Sequence, residues 1–310
     1  MLLLAASCPI LAGAQERYAV IVSGASGGEK YAAQQQKWRS QLAVFLTTNF
    51  ALPDANIVIL DENSSGSSSA TAANVRRLFG DLRRRVTDTD TVFVVLVGHG
   101  TFDGIDAKFN LVGPDLSAAE WKDLLDALPA RLVVANTTES SFPFLEQLSR
   151  AGRVVITATD SPQQRYATIF PEYFIRSLAD LSSDLDKNGR VSVWEAFAAA
   201  SAGVKQHYEQ QGQLSTERPL LDDNGDGVGR EAEAPGDDGA VARTVYFNGA
   251  PQPAGDAGVA RLERQRLAIE KQFEELRGRK STMSDDQYQA ELERILIELA
   301  RIAQEIRKRS

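Results

Sequence analysis

The chain has 310 residues, 43% of them hydrophobic and 25% charged, enough to bury a full core in one large domain with an accessory piece. A net charge of -8 argues against nucleic acid as a partner. No stretch reaches the roughly 18 apolar residues of a membrane span.

Met1 to Ala14 carry no charge and stay apolar up to Ala12-Gly13-Ala14, a small-x-small site. They read as a signal peptide (residues 1–14) cut before Gln15, although the usual basic start is missing. Export to the periplasm or beyond is therefore expected. The single cysteine, Cys8, falls inside this segment. Ala5-Ala6-Ser7 before it is a poor lipid-attachment match. A chain that begins at Gln15 has no disulfide, no thiolate metal site and no thiol nucleophile.

Five apolar runs then alternate with amphipathic stretches. Strands are predicted over Tyr18 to Ser23, Asn56 to Leu60, Thr91 to Val97, Arg131 to Ala135 and Arg153 to Ala158. Helices are predicted over about Lys30 to Asn49, Ala70 to Val86, Ala118 to Leu128, a segment starting near Pro143, Pro171 to Leu181, and from Glu195 onward. Continuous β-branched runs separated by helices imply a parallel sheet covered on both faces. Such sheets bind ligands at the carboxyl ends of their strands. His99 and the segment Asn136 to Ser141 both fall there.

A Pro/Gly/Ala-rich linker (residues 249–257) closes the domain of residues 15–248. Residues 258–310 read as a helical hairpin or coiled coil. Leu262, Ile269, Phe273 and Leu276 form one apolar stripe. Tyr288, Leu292, Ile295, Leu299, Ile302 and Ile306 form the other. Ser284-Asp285-Asp286-Gln287 fits a capping box that restarts the helix. The hairpin either packs within its own chain or carries a homodimer; spacing alone leaves both open.

A strand ending in His99-Gly100, followed by one closing on Asn136-Thr137-Thr138-Glu139-Ser140, resembles the legumain/caspase-like (clan CD) cysteine peptidases. The opening Val22-Ser23-Gly24-Ala25-Ser26-Gly27 agrees. The resemblance covers about Tyr18 to Phe247. It implies an α/β fold, a caspase-like parallel-sheet three-layer sandwich, with the C-terminal helical hairpin added. It also implies His99 as general base, Gly100 as a backbone oxyanion donor, and Thr138 at the position of the nucleophilic cysteine. A threonine hydroxyl does not ionise usefully and needs a base in tight contact, unlike a thiolate. Aligned on Gly24, Tyr31 takes the place of the family's aromatic residue and Ala32 that of its pocket arginine. Loss of both nucleophile and pocket charge points to an impaired peptidase whose former cleft binds a peptide or protein. The alternative is an active hydrolase that uses Thr138, or Ser140 or Ser141, with His99.

Two acidic loops fit the EF-hand template. In the loop 184–195, Asp184, Asp186 and Asn188 would supply side-chain oxygens, Arg190 its carbonyl, Ser192 a direct or water-mediated contact, and Glu195 two closing oxygens. Gly189 allows the sharp turn. In the loop 222–233, Asp222, Asn224, Asp226 and Glu233 take the corresponding places, but Gly229 replaces the usual apolar residue and Pro235 forbids a long following helix. Ca²⁺ is the expected ion in the first loop and the candidate ion in the second, with a polar surface turn as the rival there. His207 reads as a surface residue, Arg83 to Arg85 as a helix C-terminus, and Trp38, Trp121 and Trp194 as packing residues.

Overall fold

The computed structural model describes residues 15–247 and 283–309 and, between them, residues 258, 261–262, 265–266, 268–269, 272–273, 276 and 279–280. The expected signal peptide with Cys8 and the expected linker lie outside the described residues.

Five parallel strands form where the β-branched runs fall: β1 (Arg17–Ser23), β2 (Ile57–Asp61), β3 (Thr91–Val97), then β7 (Arg131–Asn136) and β8 (Val154–Thr157). Between β3 and β7 the chain forms a small antiparallel sheet of β4 (Gly100–Phe102), β5 (Ala107–Phe109) and β6 (Leu116–Ser117). A further strand, β9 (Leu220–Asp222), pairs antiparallel with β8 and completes a six-stranded sheet in the order β2-β1-β3-β7-β8-β9. Neither β9 nor the small sheet carries an apolar run long enough to stand out in the sequence.

Helices α1 (Glu29–Val44), α2 (Ala72–Arg85), α3 (Ala118–Asp126), α4 (Phe142–Leu148), α5 (Phe170–Ala179) and α6 (Val193–Gln210) cover the sheet. The strands alternate their side chains between the two faces. Ile21, Phe93, Val95, Val133 and Ile156 pack against Trp38, Leu42, Phe174 and Phe197 of α1, α5 and α6. Val20, Val22, Val94, Leu96 and Val134 pack against Phe79, Trp121 and Phe144 of α2, α3 and α4. Each fully buried large side chain contributes about 1.5–3 kcal/mol of transfer free energy. This two-faced burial explains why the strands read as continuous apolar runs. The molecule is thus a mixed α/β domain with a central, mostly parallel sheet between helical layers, the class the sequence implied. Arg83, Arg84 and Arg85 do form the last turn of α2, where positive charge meets the negative end of the helix dipole.

The last helix, α7 (Asp285–Arg309), follows a turn at which Ser284 and Gln287 exchange long capping hydrogen bonds of 3.4 Å. The described residues between 258 and 276 are helical. Leu262, Ile269 and Leu276 bury themselves against Tyr288, Ile295 and Ile302. The two stripes seal each other within one chain. Arg266, on the first arm, donates to the backbone carbonyl of Asn188 at 2.9 Å, so the hairpin touches the first acidic loop. No described helix is long and apolar enough to cross a membrane.

Candidate active site and acidic loops

Strands β3 and β7 are parallel neighbours, with Leu96 opposite Asn136. Their carboxyl ends therefore deliver His99 and residues 136–141 to one edge of the sheet, at the position where open α/β sheets place ligands. The structure brings these segments together, but it does not join His99 to Thr138.

Both ring nitrogens of His99 are engaged. Nδ1 lies 2.6 Å from Oε1 of Glu139, and Nε2 lies 2.9 Å from the backbone carbonyl of Ser26. A carbonyl and a carboxylate both accept, so the arrangement favours the protonated ring, with an N–H on each nitrogen. The Glu139 hydrogen bond is the main reason the His99 pKa is raised above 6.5, and the Glu139 charge adds to it against the opposing effect of burial. To act as a base toward a neighbouring hydroxyl, His99 would have to give up one of these two partners. Tyr31 packs edge-on against the ring, with centroids 4.8 Å apart. Glu62, beyond it, accepts from the Ser26 backbone N–H at 3.0 Å.

Thr138 is 0% exposed. Its hydroxyl donates to Oδ1 of Asn136 at 2.8 Å, with a longer contact of 3.1 Å to the Glu139 carbonyl. The other hydroxyls of the segment also bond the scaffold. Thr137 donates to the Leu96 carbonyl at 2.7 Å, and Ser140 to the Gln164 carbonyl at 3.0 Å. Ser141 accepts from the N–H groups of Ala158 and Thr159. Ser140 has φ +52°, a left-handed conformation uncommon for a residue with a side chain. Gly100 opens β4 directly against this segment: a Cβ there would lie 2.6 Å from the Thr138 hydroxyl and closer still to the Glu139 carbonyl. Ala32 lies in α1, one residue beyond Tyr31.

The first acidic loop gathers its residues. Oxygens of Asp184, Asp186 and Glu195 all lie within 4.8 Å of one another. Asp184 accepts from the backbone N–H groups of Asn188 and Gly189, the latter with φ +82°. Helix α6 starts at Val193, and its first turn swings Glu195 back over the loop. One Glu195 oxygen accepts from the N–H groups of Leu185 and Asp186, and the other from Ser192, which caps the helix. Arg190 stacks its guanidinium on Tyr246, 3.6 Å from the ring centre. Packing around the carboxyl, then the charge of Glu195, pushes Asp186 up to about 7. Asp186 is exposed as a residue, so the charge crowding is the firmer of these two causes. Hard oxygens converging from one loop, with no nitrogen or sulfur among them, suit a divalent cation of the calcium type.

The second loop follows the template only part-way. Asp222 accepts from the N–H groups of Gly225 and Gly227, Asn224 from Asp226, and Asp226 from Val228. Glu233 is not brought to the loop: it is 70% exposed and pairs with Lys205 of α6 at 2.7 Å. The physical reason lies at Arg230, whose backbone bonds Leu221 in both directions, and in the turns that follow in place of a helix. With no helical first turn, nothing carries Glu233 back.

Sequence reasoning assigned no role to Glu139 as the partner of His99, although the residue stands inside the motif. Ser26 stood inside the opening motif without a role assigned to it; Glu62 and Tyr246 carried no local signal of their own. His207 is not a bare surface residue: its Nδ1 lies 3.2 Å from the Tyr173 hydroxyl.

No family model and no curated protein matches this sequence. Among solved structures, the chain is similar to a structural-genomics target protein from Geobacter sulfurreducens, at 12% identity and TM-score 0.39, over 66% of this chain and 92% of that one. It is also similar to a secreted C11 cysteine protease from Bacteroides thetaiotaomicron, solved with an irreversible peptide inhibitor, at 11% identity and TM-score 0.39. That likeness covers 67% of this chain and 66% of the protease.

Proposed function

We propose that the chain is an exported caspase/legumain-like peptidase homologue that does not turn over peptides and acts as a calcium-stabilised binding module. The observation that carries this reading is that each of the two residues that would have to cooperate is committed to other partners. His99 is committed to Glu139 and Ser26, while the Thr138 hydroxyl is buried and committed to Asn136. A hydroxyl nucleophile needs a free base within hydrogen-bond reach, and both nitrogens of His99 already have other partners. The caspase-like assignment rests on the His99-Gly100 and 136–140 segments meeting at adjacent strand ends. Export rests on the apolar residues 1–14. The calcium role rests on the convergent oxygens of Asp184, Asp186 and Glu195. The ligand of the module is a peptide or protein chain at the edge where His99 and Tyr31 lie.

The test is exposure of the full protein to a hydroxyl-reactive phosphonate, read by intact mass. No adduct is expected. A single adduct on Thr138, Ser140 or Ser141 that is lost in His99→Ala would replace this reading with an active hydrolase. Self-association through the C-terminal helices is the further part of the reading; the exposed Leu296 and Ile297 are the residues that would meet. Light scattering that gives a monomer for the full chain removes that part alone.

A further inference from the structure

The loop 222–233 lacks its expected closing residue, yet a different carboxylate occupies the closing role. In the first loop, one oxygen of Glu195 accepts from the N–H groups of Leu185 and Asp186, at template positions two and three. In the second loop the same two positions are Asp223 and Asn224. Their N–H groups donate to Oδ1 of Asp238, at 3.0 and 3.3 Å. The carboxylate comes from the turn after Pro235, five residues beyond Glu233. Asp238 is 3% exposed, and its second oxygen, Oδ2, is buried with no hydrogen-bond partner among the described residues. An unsatisfied buried carboxylate oxygen is costly and calls for a partner. Oδ1 is clamped to the backbone at loop positions two and three, directly after Asp222, which is itself 0% exposed.

We propose that residues 222–238 form a second divalent-cation site, of the Ca²⁺ class, closed by Asp238 instead of Glu233. Asp222, Asn224 and Asp226 supply side-chain oxygens, Val228 its carbonyl, and Asp238 the closing carboxylate. Gly227, at the sharp turn of the template, has φ +74°, as Gly189 does in the first loop. The ligands are hard oxygens, which favours Ca²⁺ over transition metals. The ion would tie the loop after β9 more firmly to the turn at 236–240, two segments already joined by hydrogen bonds of Asp223 and Asp238. The inference rests on reading the acidic loops as calcium loops, but its site is separate from the first.

The test is a Ca²⁺ titration of the full, chelator-treated chain, read as ions bound per chain. Wild type is expected to bind two. Glu195→Gln is expected to lose one ion and Asp238→Asn the other, each by at least about a tenfold fall in affinity. Glu233→Gln, an exposed change, is expected to keep both. If Asp238→Asn does not fold, Asp226→Asn, at an exposed position, is expected to weaken the same ion. Loss of an ion in Glu233→Gln, or retention of both at unchanged affinity in Asp238→Asn or Asp226→Asn, overturns the proposal. A wild-type chain that binds one ion and loses it in Glu195→Gln also overturns it and leaves the first loop standing. One ion that survives Glu195→Gln but not Asp226→Asn supports this site and removes the first. No binding at all overturns both.

Discussion

Nδ1 of His99 sits 2.6 Å from Oε1 of Glu139, on the residue immediately after the one that would have to be the nucleophile. The pair links the ends of β3 and β7 and favours the protonated form of the His99 ring. The pair thus joins two neighbouring strand ends at the edge of the sheet.

This pairing has a pH signature. The folded-state pKa of His99 is raised above its ordinary 6.5. Its contribution to stability is therefore fully present below that value and is lost as pH rises through the raised value. His99→Gln should lower the melting temperature at about pH 6 and make little difference at about pH 9. Thermal unfolding of both proteins across that range checks it; a difference that grows with pH would contradict the pairing.

Glu139→Gln should release the ring. The main cause of the upward shift is then gone, and the His99 titration should move down toward its ordinary value. Imidazole proton shifts followed by NMR against pH read this directly. An unmoved titration would mean that Glu139 does not hold the ring.

Gly100 has no room for a side chain. Gly100→Ala would drive a Cβ against the Thr138 hydroxyl and the Glu139 carbonyl, and is expected to cost about 1–3 kcal/mol through local overpacking. Denaturant unfolding measures the loss. A variant as stable as wild type would show that the 138–139 segment yields easily.

Calcium should stabilise the fold. A ligand that binds only the folded state contributes RT ln(1 + [L]/Kd), about 2.7 kcal/mol at a hundredfold excess. Millimolar Ca²⁺ should raise the melting temperature, and Glu195→Gln should remove the part due to the first loop. Since Arg266 donates to the carbonyl of Asn188 in that loop, protease resistance of the C-terminal hairpin should rise with the ion too. A melting temperature that Ca²⁺ leaves unchanged would remove this part of the account.

Much of this was legible from residue order. The five parallel strands stood out because burial on both faces demands unbroken apolar runs such as Thr91 to Val97. The first calcium-type loop stood out because a following helix lets a fixed spacing bring Glu195 back. Legibility failed where partners come from outside a local template. Strand β9 has only Leu220, Leu221 and Asp222, too few to show a period. Asp238 lies beyond the twelve template positions, and its role depends on the turn after Pro235. Glu139 was in view, but which side chain satisfies His99 is set by how two strand ends meet. The same holds for Thr138→Cys. From sequence, that variant is expected to regain a reactive thiol; with Thr138 at 0% exposure and His99 committed to Glu139 and Ser26, the folded variant should resist thiol-directed electrophiles until it is unfolded.

The most direct test of the central claim is cleavage of a degenerate peptide library by the purified full chain with Ca²⁺ present, read by mass spectrometry beside Thr138→Ala. The account predicts the same background for both, because both His99 nitrogens are held by Glu139 and Ser26 while the Thr138 hydroxyl donates to Asn136. Defined cleavage products from wild type that vanish in Thr138→Ala would contradict it.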